Sequence, residues 1–563
     1  MTQTDNPTLE ASSTSLASRL AWVALLFATL YICYFYNLGA IGLVGPDEPR
    51  YAWIARNMAE TGDWVTPRLY GKPWFEKPVL YYWGAALSFK LFGVSEVTAR
   101  LPSALSALLA TLAMAWLALR IYGPETARWL LLLLPTTVGM IGFSHAAATD
   151  MPFAAMLALA TVCVAVILEL AKNEHTPILP RTPWLALLLL GFFLGLAVLA
   201  KGPAAILLSG GAVFLWALAT KRWRDAFRCL HPVAIASFCV TALPWYILCA
   251  RRNPEFFRVF IIEHNFKRYL TPEFQHIQPF WFYIPILFVA CIPWTPLLLW
   301  SGIRGLISWQ QTRQLSPFAI FLLAWAGFCI LFFSTSQSKL PGYILPALPP
   351  MALLLARSYV GERSRRPRLF LWLQCGVGAT AILVAIVVWS LPFGASRITA
   401  HVATGAGWVL ALLGNANLLL AIPPRKNFAG FVVRAMCVAP VLLIVLVFRP
   451  LAGDFLARDP SGRYLAAEVE KLQATSDALR AGFYVARMTR GQQYSLSFYL
   501  HREVPDWESA RPTDSLVIVP SPSVSCGALI TPPWSCSGAP IELGSTGWSI
   551  YRVTKTDVPK AHE

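Results

Sequence analysis

The most regular feature of the sequence is a series of apolar runs, each about twenty residues long, separated by short polar segments. A run of that length is what an α-helix needs to cross the hydrocarbon core of a bilayer. The pattern therefore predicts an all-α polytopic membrane protein with about thirteen transmembrane helices. The predicted helices begin near Leu20, Val97, Thr126, Met151, Trp184, Pro203, Cys229, Phe280, Ser316, Pro341, Leu369, Val402 and Phe428.

The pattern changes near Leu451, where the long apolar runs stop. The segment DPSGRYLAAEVEKLQ has the spacing of an amphipathic helix, whereas GFYVARM, YSLSFYL, SLVIVP and WSIYRV are short runs typical of strands. We therefore divide the chain into a transmembrane domain, residues 1–450, and a small soluble α/β domain, residues 451–563.

Composition and charge define the class of protein further. The chain is 56% hydrophobic and only 13% charged, which excludes an ordinary soluble globular protein. Its net charge is +17, but the basic residues lie in short loops between apolar runs. That distribution predicts contact with anionic membrane lipids and not with nucleic acid.

The basic loops also predict an orientation. Every second loop is rich in Lys and Arg, and by the positive-inside rule this places the N-terminus in the cytoplasm. An odd number of spans then places the C-terminal domain outside. In that oxidising compartment we expect Cys526 and Cys536, the two cysteines of the domain, to form a disulfide.

Two loops on the outer side carry many cations and so break this rule. One is residues 45–83, GPDEPRYAWIARNMAETGDWVTPRLYGKPWFEKPVLYYW, and the other is residues 251–279. Binding of phosphate groups explains why cations are kept there. Because the first loop also combines carboxylates with many aromatic rings, we predict that it is the active-site loop for a charged, lipid-borne sugar.

Three carboxylates are candidates for the chemistry. Asp47 and Glu48 directly follow the first apolar run, and Asp150 lies in SHAAATDMPF at the start of another. Helix capping is the alternative explanation for each of them. Ionisable groups at a bilayer surface are functional candidates by default. We therefore treat Asp47, Glu48 and Asp150 as candidate catalytic residues.

Several basic and aromatic side chains on the outer side are candidates for binding phosphate or substrate. A lysine that reaches toward the headgroups, or an aromatic membrane anchor, is the alternative explanation for them. These candidates are Arg50, Arg56, Lys77, Tyr81, Tyr82, Lys201 and Lys339.

The sequence lacks the motifs of several other enzyme classes. It contains no Walker loop, GxGxxG, HExxH or GxSxG pattern in a suitable context. This argues against ATP-driven transport and serine hydrolysis, and no organic cofactor is expected. It also favours a lipid-linked sugar donor over a nucleotide sugar, since the basic loops lie outside.

The sequence resembles the membrane glycosyltransferases of the protein-O-mannosyltransferase superfamily, which have the GT-C fold. Within that superfamily it is most similar to the lipid A 4-amino-4-deoxy-L-arabinose transferases. The resemblance extends from about residue 47 to residue 346. It is carried by the loop DEPRYAWIARNMAETGDWVTPRLYGKPWFEKPVLYYW and by ATDMPF, AKGP, EHNFKRYL, HIQPFWFYIP and SKLPGYILP.

The resemblance implies an inverting transfer of 4-amino-4-deoxy-L-arabinose from undecaprenyl phosphate to a phosphate of lipid A. The reaction would take place at the periplasmic face of the bacterial inner membrane. Asp47 matches the family's catalytic acidic residue and Asp150 its second acidic residue. The positions that hold the carrier phosphate are matched by Lys77, Arg268 and Tyr343. The positions at which the family is expected to hold a zinc ion are matched by Glu76 and His264.

Other functions are consistent with parts of the sequence. A protein mannosyltransferase or another lipid A sugar transferase would share the acidic loop. A lipid-linked sugar flippase should instead show broken helices with ionisable groups near the midplane of several spans, whereas here the charges gather in the outer loops. A non-catalytic envelope scaffold would not need cations placed against the topology rule.

Overall fold

The structure is a computed structural model of the chain. It describes residues 16–170, 183–271, 277–312, 315–365, 429–456, 461–520, 534–544 and 546–555, with a few isolated positions between 378 and 412. The predicted helix starts at Leu369 and Val402 lie outside the described residues, as does Cys526. Cys536 is disulfide-bonded, so its pairing with Cys526 stays a prediction.

Helices make up most of the first 456 residues. They are α1 Leu16–Tyr34, α2 Asp47–Thr61, α3 Leu80–Phe92, α4 Glu96–Tyr122, α5 Pro124–Leu133, α6 Val138–Ser144, α7 Asp150–Ile167, α8 Trp184–Lys201, α9 Ala204–Thr220, α10 Trp223–Phe227, α11 Pro232–Arg252, α12 Arg268–Leu270, α13 Tyr283–Ala290, α14 Thr295–Thr312, α15 Pro317–Thr335, α16 Leu348–Arg365 and α17 Ala429–Leu456. A π-helix, Arg258–Lys267, precedes α12, and 3₁₀ turns occupy Arg228–Leu230, Phe280–Phe282 and Pro341–Ala347. Between α2 and α3, strands β1 Arg68–Leu69 and β2 Lys72–Pro73 pair antiparallel.

The predicted starts that fall in the described residues lie close to the first residues of helices. No start was predicted for α2, α3, α6, α10 or α14. By length and composition, six helices in the described part of the chain could cross a membrane. The number rises to eight if each of two bent pairs, α5 with α6 and residues 280–290 with α14, is one span. The count of thirteen spans stays a prediction.

The core of the helical region is built around α7. Nearly every residue of this helix is buried, and it packs against α4 on one side and α8 on the other. Because α7 is apolar all round, burial on every face is the expected arrangement. Asp150 is its first residue, so the same packing fixes the position of a candidate catalytic carboxylate at the end of the bundle.

Residues 461–555 form a compact group, which we call the C-terminal unit. It contains α18 Arg463–Thr475, α19 Asp477–Ala481, α20 Arg490–Leu500 and α21 Trp507–Ala510, with strands β3 Tyr484–Val485, β4 Asp514–Pro520, β5 Trp534–Glu542 and β6 Trp548–Lys555. The sheet order is β3-β4-β6-β5, with β3 parallel to β4 and the other pairs antiparallel. Its core includes Val469, Phe483, Ile518 and Ile550.

One element of this unit differs from the prediction. The run YSLSFYL was expected to be a strand, but it forms most of α20. The reason lies just upstream, where Thr489 and Gln492 make a reciprocal capping box that starts a helix. The alternation of apolar and polar residues was therefore a misleading signal over so short a segment.

Candidate active site

Asp47 is the first residue of α2, and its position argues against a capping role. The N-cap position belongs to Pro46, which makes no side-chain cap. The Asp47 carboxylate instead lies 2.5 Å from the guanidinium of Arg50, one turn later, and its side chain is 49% exposed. Asp47 is therefore an accessible carboxylate held by a buried arginine.

Arg50 connects Asp47 to Glu76, which is the centre of a buried charge cluster. The second guanidinium nitrogen of Arg50 lies 3.0 Å from Glu76. Arg268 approaches the same carboxylate at 3.4 Å and Lys77 at 3.8 Å. Burial alone would raise the pKa of Glu76, but Lys77, Arg50 and Arg268 lower it to about 2. Glu76 is thus a fixed anion that holds three cations together.

Lys77 is the cation of this cluster that is most easily deprotonated. Burial, followed by the positive charge of Arg268, lowers its pKa to about 8 against the attraction of Glu76. The side chain is 13% exposed. An incoming anion would restore the preference for the charged form, so Lys77 is suited to recognising phosphate.

Asp150 pairs with Lys201 across the site. The Lys201 ammonium lies 2.5 Å from the Asp150 carboxylate and 4.2 Å from the centre of the Tyr343 ring. Lys201 is the last residue of α8, which ends because Gly202 adopts a φ of +91°. The 3₁₀ turn Pro341–Ala347 passes so close to Asp150 that a Cβ added to Gly342 would lie 2.7 Å from the Asp150 carboxylate. Glycine at position 342 permits this approach.

A cavity of about 530 Å³ opens onto this cluster. Its polar end is lined by Glu76, Lys77, Lys201, His264, Arg268 and Tyr343. Its other walls are apolar and come from α9, the π-helix and α15, with Leu207, Phe260 and Phe332 among the lining residues. Phosphate-binding cations at one end of an apolar cavity suit a lipid phosphate.

Glu48 has an environment unlike that of Asp47. Its carboxylate lies 2.8 Å and 3.0 Å from two nitrogens of Arg100 and accepts hydrogen bonds from the backbone of Val44 and Ala147. Arg100 also donates to the carbonyls of Leu38, Ile41 and Gly42. The pair therefore joins the segment before α2 to the one before α7. Arg100 was not identified from the sequence as a functional residue. The signal that could have identified it is a lone arginine within an apolar helix.

Three other candidates make structural contacts. Arg56 lies away from the cavity, 2.8 Å from Glu60 and in contact with the Phe498 carbonyl. Lys339 donates to the carbonyls of Gln278 and Ser336 at 2.9 Å and 2.5 Å. The Tyr81 hydroxyl donates to the Ala99 carbonyl at 2.8 Å. The sequence does not distinguish the roles of Lys339 and Tyr81 from phosphate binding, because their partners are backbone carbonyls.

Tyr82 is closer to the charge cluster than Tyr81. Its ring packs edge-on against Tyr51, whose own ring lies 5.1 Å below the Arg50 guanidinium. Tyr51, Tyr81 and Tyr82 belong to one buried aromatic cluster beneath the Asp47 helix. Tyr81 and Tyr82 of α3 therefore pack against Tyr51 of α2 and hold the two helices together.

The residues expected to hold zinc do not fit that ion. Glu76 is surrounded by three cations, and their charge opposes a divalent metal. His264 lines the same cavity, and burial lowers its pKa. Within the described ranges, no group of three or more His, Cys, Asp or Glu side chains could hold a metal ion. The expectation of a zinc site at Glu76 and His264 is therefore not supported.

Sequence comparison relates the chain to known glycosyltransferases. Residues 20–260 match the family described as dolichyl-phosphate-mannose-protein mannosyltransferase. A protein of Edwardsiella ictaluri named undecaprenyl phosphate-alpha-4-amino-4-deoxy-L-arabinose arabinosyl transferase is 34% identical over 70% of this chain and 72% of its own length. A relative from Pseudomonas fluorescens, of the same name with the suffix 2, is 30% identical over 81% of this chain and 80% of its own.

Structural comparison gives the same fold. The crystal structure of ArnT from Cupriavidus metallidurans bound to undecaprenyl phosphate superposes with a TM-score of 0.74. The match covers 94% of this chain and 98% of the other, at 23% sequence identity. The apo structure of the same protein also has a TM-score of 0.74.

Proposed function

The chain belongs to the family of undecaprenyl phosphate-α-4-amino-4-deoxy-L-arabinose arabinosyl transferases, and from this premise we propose how it acts. It is a membrane glycosyltransferase that uses a polyprenyl-phosphate-linked sugar as donor. It moves 4-amino-4-deoxy-L-arabinose from undecaprenyl phosphate to a phosphate of lipid A. The reaction takes place in the bacterial inner membrane, with the site facing the periplasm.

The observation that carries this proposal is the cavity with a cationic end and apolar walls. The donor phosphate binds between Lys77 and Arg268, which lie beside Glu76 at the polar end. The polyprenyl chain follows the apolar walls formed by α9 and α15. Lys201 is held by Asp150 at the same end, which fixes its ammonium in the wall of the cavity.

The chemical step follows from the charges. An oxygen of the acceptor phosphate attacks C1 of the sugar, and the bond from C1 to the carrier phosphate oxygen breaks. The electron pair leaves with undecaprenyl phosphate, whose developing negative charge is stabilised by Lys77 and Arg268. A single displacement without a covalent enzyme intermediate gives inversion at C1.

Asp47 acts on the acceptor. It is exposed at the start of α2 and fixed by Arg50, so it can orient the acceptor phosphate or take a remaining proton from it. Glu48 does not touch substrate in this proposal, because its carboxylate is occupied by Arg100 and two backbone amides. It positions the segment that carries Asp47.

Reconstitution tests the function. Purified protein in detergent is incubated with synthetic undecaprenyl-phosphate aminoarabinose and lipid A, and mass spectrometry follows the acceptor. We expect lipid A that carries one or more added aminoarabinose units. A peptide rich in Ser and Thr serves as the competing acceptor. Glycosylation of the peptide instead of lipid A would show a protein glycosyltransferase and refute the proposed acceptor.

A further inference from the structure

Helix α20 of the C-terminal unit contacts the segment that leads into Asp47. The backbone N–H of Leu43 donates to the Tyr499 hydroxyl at 2.9 Å, and the Leu43 carbonyl accepts from the Ser495 hydroxyl at 2.8 Å. Ser495 and Tyr499 are four residues apart, so they lie on one face of α20. Two side chains of this helix thus satisfy both backbone polar groups of Leu43.

The two backbones also come unusually close together. A Cβ on Gly491, in the first turn of α20, would lie 2.8 Å from the carbonyl carbon of Gly45. Gly45 itself has a φ of +67° and stands two residues before Asp47. Any side chain at position 491 would therefore push on the turn from which α2 starts.

The same segment is held from the opposite direction by the transmembrane helices. Arg100 on α4 donates to the carbonyls of Leu38, Ile41 and Gly42. Tyr499 donates in turn to Glu96 on α4 at 2.8 Å, and Arg463 lies 3.1 Å from the same carboxylate. Residues 38–45 form no helix or strand. Contacts with α4 and with α20 therefore hold this segment in place.

We propose that Tyr499 and Ser495 are positioning residues for Asp47, so that the C-terminal unit completes the active site. This inference rests on the proposed function and adds a role for residues far away in sequence. Asp47 does not touch either residue; they act through the backbone of residues 43–45. Displacement of a catalytic group by about 1 Å lowers turnover by about a hundredfold. We take that value as the largest loss of kcat expected when the contact with α20 is disturbed.

The first test is Tyr499→Phe, which removes one hydroxyl and keeps the ring. We expect kcat to fall by about tenfold, within that scale. Because Lys77 and Arg268 hold the donor, the dissociation constant of undecaprenyl phosphate should stay within about twofold of wild type. The matched control is Tyr551→Phe on β6 of the same unit, which should leave both kcat and donor affinity unchanged.

The second test is Gly491→Ala, which keeps every hydrogen-bonding group and adds only a methyl group against Gly45. It should reproduce the lower kcat with unchanged donor affinity, and a thermal-unfolding curve establishes that the protein is folded. Wild-type kcat in both folded variants would overturn the inference. An equal loss of donor affinity in both would also overturn it, because that result indicates a general structural role. Absence of transfer by the wild-type protein would refute the proposed function itself.

Discussion

Lys77 should make donor binding depend on pH in the mildly alkaline range. Its pKa in the free protein is about 8, and a bound phosphate stabilises the ammonium and raises that pKa. The contribution of Lys77 to affinity is therefore fully present below the free-state pKa and declines as the pH rises from that value toward the higher pKa of the bound state. By proton linkage, the affinity for undecaprenyl phosphate should fall by about tenfold between about pH 7 and about pH 9.

The neighbouring groups do not account for such a change. Glu76 has a pKa of about 2, and burial lowers the pKa of His264, so neither gains or loses charge in this range. Burial opposes the charge of Arg268, but Tyr343 and Glu76 raise its pKa above the usual value. The phosphate of undecaprenyl phosphate is a monoester with a second pKa of about 6, so it is largely ionised throughout this range.

Isothermal titration of undecaprenyl phosphate into purified protein measures the effect. Lys77→Arg keeps the positive charge at every pH tested, so its affinity should not vary with pH. Lys77→Met should bind about ten- to a hundredfold more weakly at neutral pH, the expected loss of a charge-assisted hydrogen bond. Affinity that does not vary with pH in the wild type, or that varies equally in Lys77→Arg, would refute the assignment.

Further expectations concern stability, redox state and topology. Lys201→Met should lower stability by up to about 3 kcal/mol because it leaves the partly buried Asp150 without its partner, and adding Asp150→Asn should restore much of the loss in thermal-unfolding measurements. Lys339→Met should lower Tm but leave donor affinity unchanged. Cys526 and Cys536 should be found linked in mass spectra of unreduced protein, and alkylation of both without reduction would contradict this. A reporter fused after Glu563 should be active only outside the cytoplasm.

The sequence was most informative where charge contradicts membrane topology. Lys77 and Arg268 stand in loops that are predicted to lie outside, where their positive charge opposes the topology rule, and both line the cavity. Asp47 was identified as a candidate because it directly follows the first apolar run. These residues could be identified because charged side chains are rare in and beside membrane spans and are usually functional where they occur.

The sequence was less informative where function depends on which partner a side chain meets. Glu48 and Asp47 are neighbours in the chain, yet one is enclosed by Arg100 and the other is half-exposed. Lys339 resembled an anion-binding lysine but donates to two carbonyls. Tertiary packing determines which partner each of these side chains contacts, and no local sequence pattern encodes that partner. The contact between α20 and Leu43 joins residues more than 450 positions apart.

The most direct test of the account is the turnover of Asp47→Asn with lipid A as acceptor. Asparagine keeps the size of the side chain and removes its charge and basicity, and Asp47 is not the N-cap of α2. We predict a folded protein that binds undecaprenyl phosphate normally and transfers aminoarabinose at least about a hundredfold more slowly than wild type. A folded Asp47→Asn protein with near wild-type turnover would contradict the central claim.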